Sequence, residues 1–209
     1  MWQRLGGVAG VGFAAFYFAA MFGVLDLPEG ADSDEEVINL VSGEGQTRGI
    51  VGIVLLAAAG ALFLWFLAAL TDVLRAANGT LARLASAAGS VFVAMLFIAT
   101  ACFGVLPLAT ALDELSDDVS AEIARVLTQL GFVALLLVGL FAAATLVLST
   151  SAAILTSRVL PRWLAWLGLI VGPLLFLGAF WVPQLLLLVW AAVTGIVLAR
   201  RSGSESHAG

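Results

Sequence analysis

Gly49–Leu70 reads GIVGIVLLAAAGALFLWFLAAL, with no charged side chain anywhere in it. A helix that spans the hydrocarbon layer needs about 20 mostly apolar residues, and this stretch supplies them. A water-soluble fold has no use for so long an uninterrupted apolar run. Lipid does, because an α-helix satisfies its own backbone and presents apolar side chains to an apolar solvent.

Five further runs follow the same pattern: Leu5–Leu25, Leu84–Leu106 stopped by Pro107, Val126–Thr156, Trp163–Phe180 and Pro183–Ala199. The expected fold class is all-α, a polytopic membrane helix bundle of six transmembrane helices in one domain over residues 1–201. Residues 202–209 are polar and are expected to be a disordered tail. The run from Leu5 is too long for the apolar core of a secretory signal, so it is read as a retained helix. The whole 209-residue chain agrees with this, being 62% hydrophobic and only 11% charged, where soluble domains carry roughly 25% charged residues.

Charge gives an orientation. There is no lysine, and the nine basic residues are all arginine, a bias that points to a GC-rich bacterial genome. Arg4, Arg75, Arg83, Arg158, Arg162, Arg200 and Arg201 fall in alternate segments, and the other side holds only Arg48 and Arg125. Arginine-rich short loops stay inside. Both termini are therefore expected in the cytoplasm of a bacterial plasma membrane. Twelve of the fourteen carboxylates lie in the two long loops on the other side, leaving only Asp72 and Glu205 inside.

Those two outer loops are expected to carry short acidic amphipathic helices. Ser33 and Glu36 have the spacing of a capping box. In the second loop Ser116 can cap a helix whose first turn holds Asp117 and Asp118. Its apolar residues Val119, Ile123, Val126, Leu127 and Leu130 recur at helical spacing and run straight into the fourth membrane run. From Asp117 to Thr156 a single helix would be about 60 Å long. It must either project beyond the membrane or bend near Gly131.

Two halves of the chain read alike. Arg4-Leu5 and Phe22-Gly23-Val24-Leu25 bracket the first helix as Arg83-Leu84 and Phe103-Gly104-Val105-Leu106 bracket the third. Each is followed by a proline, an acidic capped segment and a second spanning run. A parallel repeat of this kind occurs in transporters, and also arises by chance in alanine- and leucine-rich chains.

The chemistry-bearing residues are few. No spanning run has an Asp, Glu, Lys, Arg or His in its interior, where proton relays and coupled ion sites normally need one. The sole histidine, His207, lies in the tail. Histidine-built metal, haem or serine-hydrolase sites are thus not expected, no cofactor is expected, and the chain is not expected to be an enzyme. Cys102 stands alone, so no intrachain disulfide forms. The hydroxyls of Ser86, Ser90, Thr145, Ser149 and Thr156 could line a polar path, or could bond their own helices. Gln184 and Thr194 are read in the same two ways. Gly6 and Gly10, and Gly168 and Gly172, are four apart and permit close helix approach, either to a second protein or within one bundle. Trp2, Trp65, Trp163, Trp166 and Trp181 fit interfacial belts, while Trp190 lies deeper. Asn78-Gly79 reads as a turn, and Asp72 and Arg75 are spaced to pair. Pro173 should kink the fifth helix.

The stretches GQTRGIVGIVLLAAAGALFLWFLAALTDVLRAANG and SRVLPRWLAWLGLIVGPLLFLGAF, with Pro161, Arg162, Trp163, Leu164 and Gly168, carry a resemblance. The chain resembles the uncharacterised six-helix integral membrane proteins of actinobacteria, a family grouped as a domain of unknown function. The resemblance implies no site residues. The expected partners are the lipid bilayer and other membrane proteins or a second copy of the chain, with no nucleic acid. The expected function is non-catalytic, through helix packing or partner binding. The alternative is a passive channel or permease for a small or apolar solute.

Overall fold

The computed structural model describes residues 2–24, 33–42, 45–112, 120–157, 159–177 and 182–205. All regular structure among them is helical. In chain order the helices are α1 (Trp2–Phe18), α2 (Asp34–Ser42), α3 (Gln46–Arg75), α4 (Gly79–Ala111), α5 (Ala121–Phe132), α6 (Leu140–Ser157), α7 (Arg162–Leu175) and α8 (Val182–Glu205). A π-helical stretch, Ala19–Val24, extends α1, and another, Val133–Gly139, joins α5 to α6. Five helical segments are long and apolar enough to cross a membrane: Trp2–Phe22, Gln46–Arg75, Gly79–Ala111, Ala121–Ser157 and Pro183–Arg201. The segment Arg162–Leu175 is apolar but shorter. The expected run to Phe180 ends in residues outside those described. Pro173 lies two residues before the end of α7, where turns donated by Phe176 and Leu177 close the helix.

The long helices form a closed ring. α1 packs on α3, α3 on α4, α4 on α6, α6 on α7, α7 on α8, and α8 returns to α1. Arginines mark one end of the ring: Arg4 opens α1, Arg75 closes α3, and Arg162 opens α7. At the other end α2 lies across α3, α4 and α5. The order of long apolar helix, short amphipathic helix and long apolar helix occurs twice, as α1–α2–α3 and α4–α5–α6.

On one face each of α5 and the start of α1, burial is inverted relative to a soluble bundle. In α5 the small residues Ala121, Ala124, Thr128 and Gly131 are buried, while Ile123, Val126 and Leu130 are exposed. Ile123, Val126 and Leu130 of the apolar stripe foreseen there therefore face outward. Between helices in lipid there is no hydrophobic drive, so close packing of small residues holds them together and large apolar chains face the solvent. In α1, Gly6, Gly7, Ala9 and Gly10 are likewise buried, with Leu5, Val8 and Val11 outside.

Local capping follows simple rules. Ser33 and Glu36 close the expected capping box: the Ser33 N–H donates to Glu36 Oε2 at 2.9 Å, and the Glu36 N–H to Ser33 Oγ at 3.3 Å. Asn78 caps α4, its Oδ1 accepting from the N–H groups of Thr80 and Leu81, both at 3.1 Å. The expected Ser116 cap falls outside the described residues, and the described helix begins at Ala121 after Ser120.

Two expectations about helix continuity need correction, at Pro107 and at the C-terminal end, while near Gly131 the helix is continuous. Pro107 does not stop the third spanning helix, which continues to Ala111. Proline removes one backbone donor, and here side chains brace that turn. Gln46 Nε2 donates to Pro107 O at 3.3 Å and to Thr110 Oγ1 at 2.8 Å, and Thr110 Oγ1 donates to Leu106 O at 2.9 Å. Gly49 lies beside the ring, where even a Cβ would make only an ordinary contact, 3.6 Å from Pro107 Cγ. Near Gly131 the helix neither ends nor bends into a loop. It changes hydrogen-bond register in the π-helical stretch that begins at Val133, while Phe103 packs over Gly131 and meets Phe132 at a tilt of 60° with ring centroids 5.4 Å apart. The last helix runs on to Glu205, past Arg201, where the sequence suggested a disordered tail. Arg201 Nη1 donates to Val159 O at 2.6 Å and ties α8 to the α6–α7 connection.

Candidate functional site

The space between α1, α3, α4 and α8 is filled by aromatic rings. Phe13, Phe63, Phe66, Phe92 and Trp190 are all buried. Phe63 meets Phe13 edge-on at 4.6 Å and Phe92 at 4.9 Å, and Phe66 meets Trp190 at 6.2 Å. Edge-to-face pairs in this range are attractive beyond their area burial. The deeper tryptophan of the sequence is thus part of the packed centre. Trp2, Trp65, Trp163 and Trp166 are exposed on the outside, and Trp2 lies against Trp65 at 5.1 Å.

The hydroxyls of the candidate path separate into two groups. On α6 each turns back on its own helix. Thr145 donates to Phe141 O at 3.1 Å, Ser149 to Thr145 O at 2.7 Å, and Thr156 to Ala152 O at 3.0 Å. Ser151 does the same toward Val147 O. Such back-bonding satisfies a hydroxyl without a ligand.

Ser86 and Ser90 belong elsewhere. They line a half-open cleft of about 320 Å³ between α3 and α4, with Leu64, Leu67, Ala68, Thr71, Asp72 and Arg75. The α3 residues lie one turn apart along one face, and so do the two serines on α4. Thr71 is buried, and its Oγ1 has no hydrogen-bond partner among the described residues. At the mouth Arg75 Nη1 lies 3.6 Å from Asp72 Oδ1, the expected pair, with both side chains half-exposed or more. The sequence singled out the serines and the ion pair but not Thr71. Its signal was available: a lone hydroxyl one residue before the Asp72–Arg75 pair at that end of the helix.

The four glycines face helices of the same chain. A Cβ on Gly6 would run into Ala69, and one on Gly10 would meet Phe66 Cδ2 at 2.6 Å. On Gly168 it would run into Ser151 Oγ, and on Gly172 it would meet Leu148 Cδ2 at 2.6 Å. The tightest backbone crossing is one the sequence did not single out. A Cβ on Gly7 would lie 2.5 Å from Gly195 O, and one on Gly195 2.5 Å from Gly7 O.

At the opposite end, α2 seats Val37, fully buried, against Ala121, Ala124 and Leu106. Arg125 Nη1 pairs with Asp34 Oδ1 at 2.8 Å. Glu36 is exposed, and the Ser33 backbone N–H, then the Ser33 hydroxyl, hold its carboxyl below the usual value.

Residues 8–199 match the family described as Domain of unknown function (DUF4386). The chain belongs to it. The DUF4386 match runs from the second turn of α1 to near the end of α8, so the helix ring, the cap and the α3–α4 cleft all lie within it. No curated protein and no solved structure matches the chain.

Proposed function

We propose that this DUF4386 chain is a six-pass protein of a bacterial plasma membrane, both termini cytoplasmic, that acts by binding partners in the membrane and carries out no chemistry. In this reading α7 completes a sixth crossing with the residues that follow it. The observation that carries it is the aromatic packing of Phe13, Phe63, Phe66, Phe92 and Trp190, which fills the ring where a conduit would run. The back-bonded hydroxyls of α6 support it too, since they face a requirement already met. The glycines are engaged within the chain, so partners would meet the outward apolar faces or the acidic cap, not a GxxxG seam.

Flux of small polar and apolar solutes into liposomes, with and without the protein, tests the reading. The expected result is no protein-dependent flux. Saturable, protein-dependent uptake of any solute would move the assignment to the permease alternative. Orientation is read separately in a Cys102→Ala background: a cysteine placed at Ser33 should label from outside intact cells, and one at Asn78 should not.

A further inference from the structure

The α3–α4 cleft brings three features together in one place. It holds a buried hydroxyl, Thr71 Oγ1, without a partner. Its lining carries one charge of each sign, Arg75 and Asp72, loosely apposed at 3.6 Å. Its depth is apolar, built from Leu64, Leu67 and Ala68, and Leu64 is exposed on the lipid-facing side next to Trp65. Trp65, in tilted contact with Trp2, marks the interfacial level. Thr71 lies six residues further along α3, about 9 Å at 1.5 Å per residue. The headgroup layer on each side of the hydrocarbon core is of that same order of thickness.

We propose that the cleft binds the headgroup of a zwitterionic aminophospholipid from the arginine-side leaflet. Arg75 takes the phosphate, as guanidinium groups favour. Asp72 takes the primary ammonium, and the exposed ion pair opens to admit both. Thr71, Ser86 and Ser90 supply hydroxyls to the phosphate and glycerol-ester oxygens, which gives Thr71 the partner it lacks. An acyl chain follows Leu64 and Ala68 into the bilayer. A soluble ligand would leave the apolar depth and the exposed Leu64 unused, and a purely anionic lipid would leave Asp72 against a phosphate. The proposal rests on the membrane-spanning reading but not on the absence of transport.

The test uses the full chain in nanodiscs of equal phosphatidylethanolamine, phosphatidylcholine and phosphatidylglycerol, with retained lipid read by native mass spectrometry. Phosphatidylethanolamine should be retained in preference, because its primary ammonium donates hydrogen bonds that a trimethylated one cannot. Asp72→Asn should lower that preference roughly threefold to fivefold, the scale of a half-exposed charge pair. Arg75→Gln should weaken retention of all three lipids. Thr71→Val is the structural risk, so Ser90→Ala, at an exposed position, serves as the milder second variant and should also reduce retention. Equal retention of the three lipids, unchanged in Asp72→Asn, would overturn the lipid site and leave the partner-binding reading standing. Retention of phosphatidylglycerol above the others would overturn the zwitterionic assignment. Soluble phosphoethanolamine that saturates the protein while no lipid is retained would assign the cleft to a small soluble ligand and overturn it as well. Failure of the chain to enter nanodiscs would overturn both readings.

Discussion

The Tyr17 hydroxyl donates to Gln184 Oε1 at 2.6 Å and so joins the first and last helices of the ring. Both side chains are buried, and Gln184 Nε2 has no partner among the described residues. Interhelical hydrogen bonds in lipid contribute about 0.6 kcal/mol on average and up to about 1.7. Tyr17→Phe should therefore destabilise by an amount in that range. Gln184→Leu removes the orphaned amide together with the acceptor, so the double variant should be more stable than the sum of the single effects implies. A double-mutant cycle on reversible unfolding in mixed micelles measures this, and strict additivity would contradict it.

The Gly7–Gly195 crossing predicts a position-specific response to one methyl group. Gly7→Ala places a Cβ 2.5 Å from Gly195 O and 2.6 Å from Ala199 N, both backbone atoms that cannot turn aside. Overpacking of this kind costs about 1–3 kcal/mol. Gly79→Ala meets nothing within 4 Å, and should be neutral or stabilise by up to about 1 kcal/mol through helix propensity. Melting temperatures of the two variants in one detergent give the comparison, and equal shifts would contradict the close crossing.

The capping box predicts a dependence on acid. The Glu36 carboxylate is held below its ordinary value by Ser33. Its contribution to α2 is thus full above the unfolded-state value and is lost as pH falls through the lower, folded-state value. Ser33→Ala removes the hydroxyl bond and should raise the Glu36 midpoint. Carboxyl chemical shifts of Glu36 across an acid titration report both midpoints, and coincident curves would count against the box.

In the cap, packing should outweigh charge. Val37 is fully buried, whereas Asp34 is three-quarters exposed opposite Arg125. Removing buried methyl groups costs on the order of 1–2 kcal/mol, and ion pairs this exposed contribute less than about 1 kcal/mol. Val37→Ala should accordingly increase protease access to α2 more than Asp34→Asn. The reverse order would mean that the ion pair holds the cap.

Features that depend on neighbours within one helical turn were legible in the sequence. The Ser33–Glu36 box and the Asp72–Arg75 pair rest on spacings of three residues, and the long spans rest on composition alone. What escaped depends on groups distant along the chain. Pro107 sits within a helix because Gln46, 61 residues earlier, braces its turn. Gln184 is satisfied in part by Tyr17, 167 residues away. The serines of the cleft were visible, but not that Thr71 stands beside them, since register between α3 and α4 is set by packing. Which way the α5 stripe faces was not legible, because a periodic apolar pattern shows a face without saying whether lipid or protein covers it.

The ring order bears on how the protein is made. Apart from one seam, each long helix packs on the one that precedes it in the chain, so every newly synthesised helix finds its neighbour already in place. The exception is α1 against α8, where Gly7 waits for Gly195. Until translation is complete the glycine face of α1 stays open to lipid or to a membrane chaperone. Truncation before α8 should leave an arc of helices whose ends pair with each other between copies, turning a ring closed within one chain into an open-ended assembly.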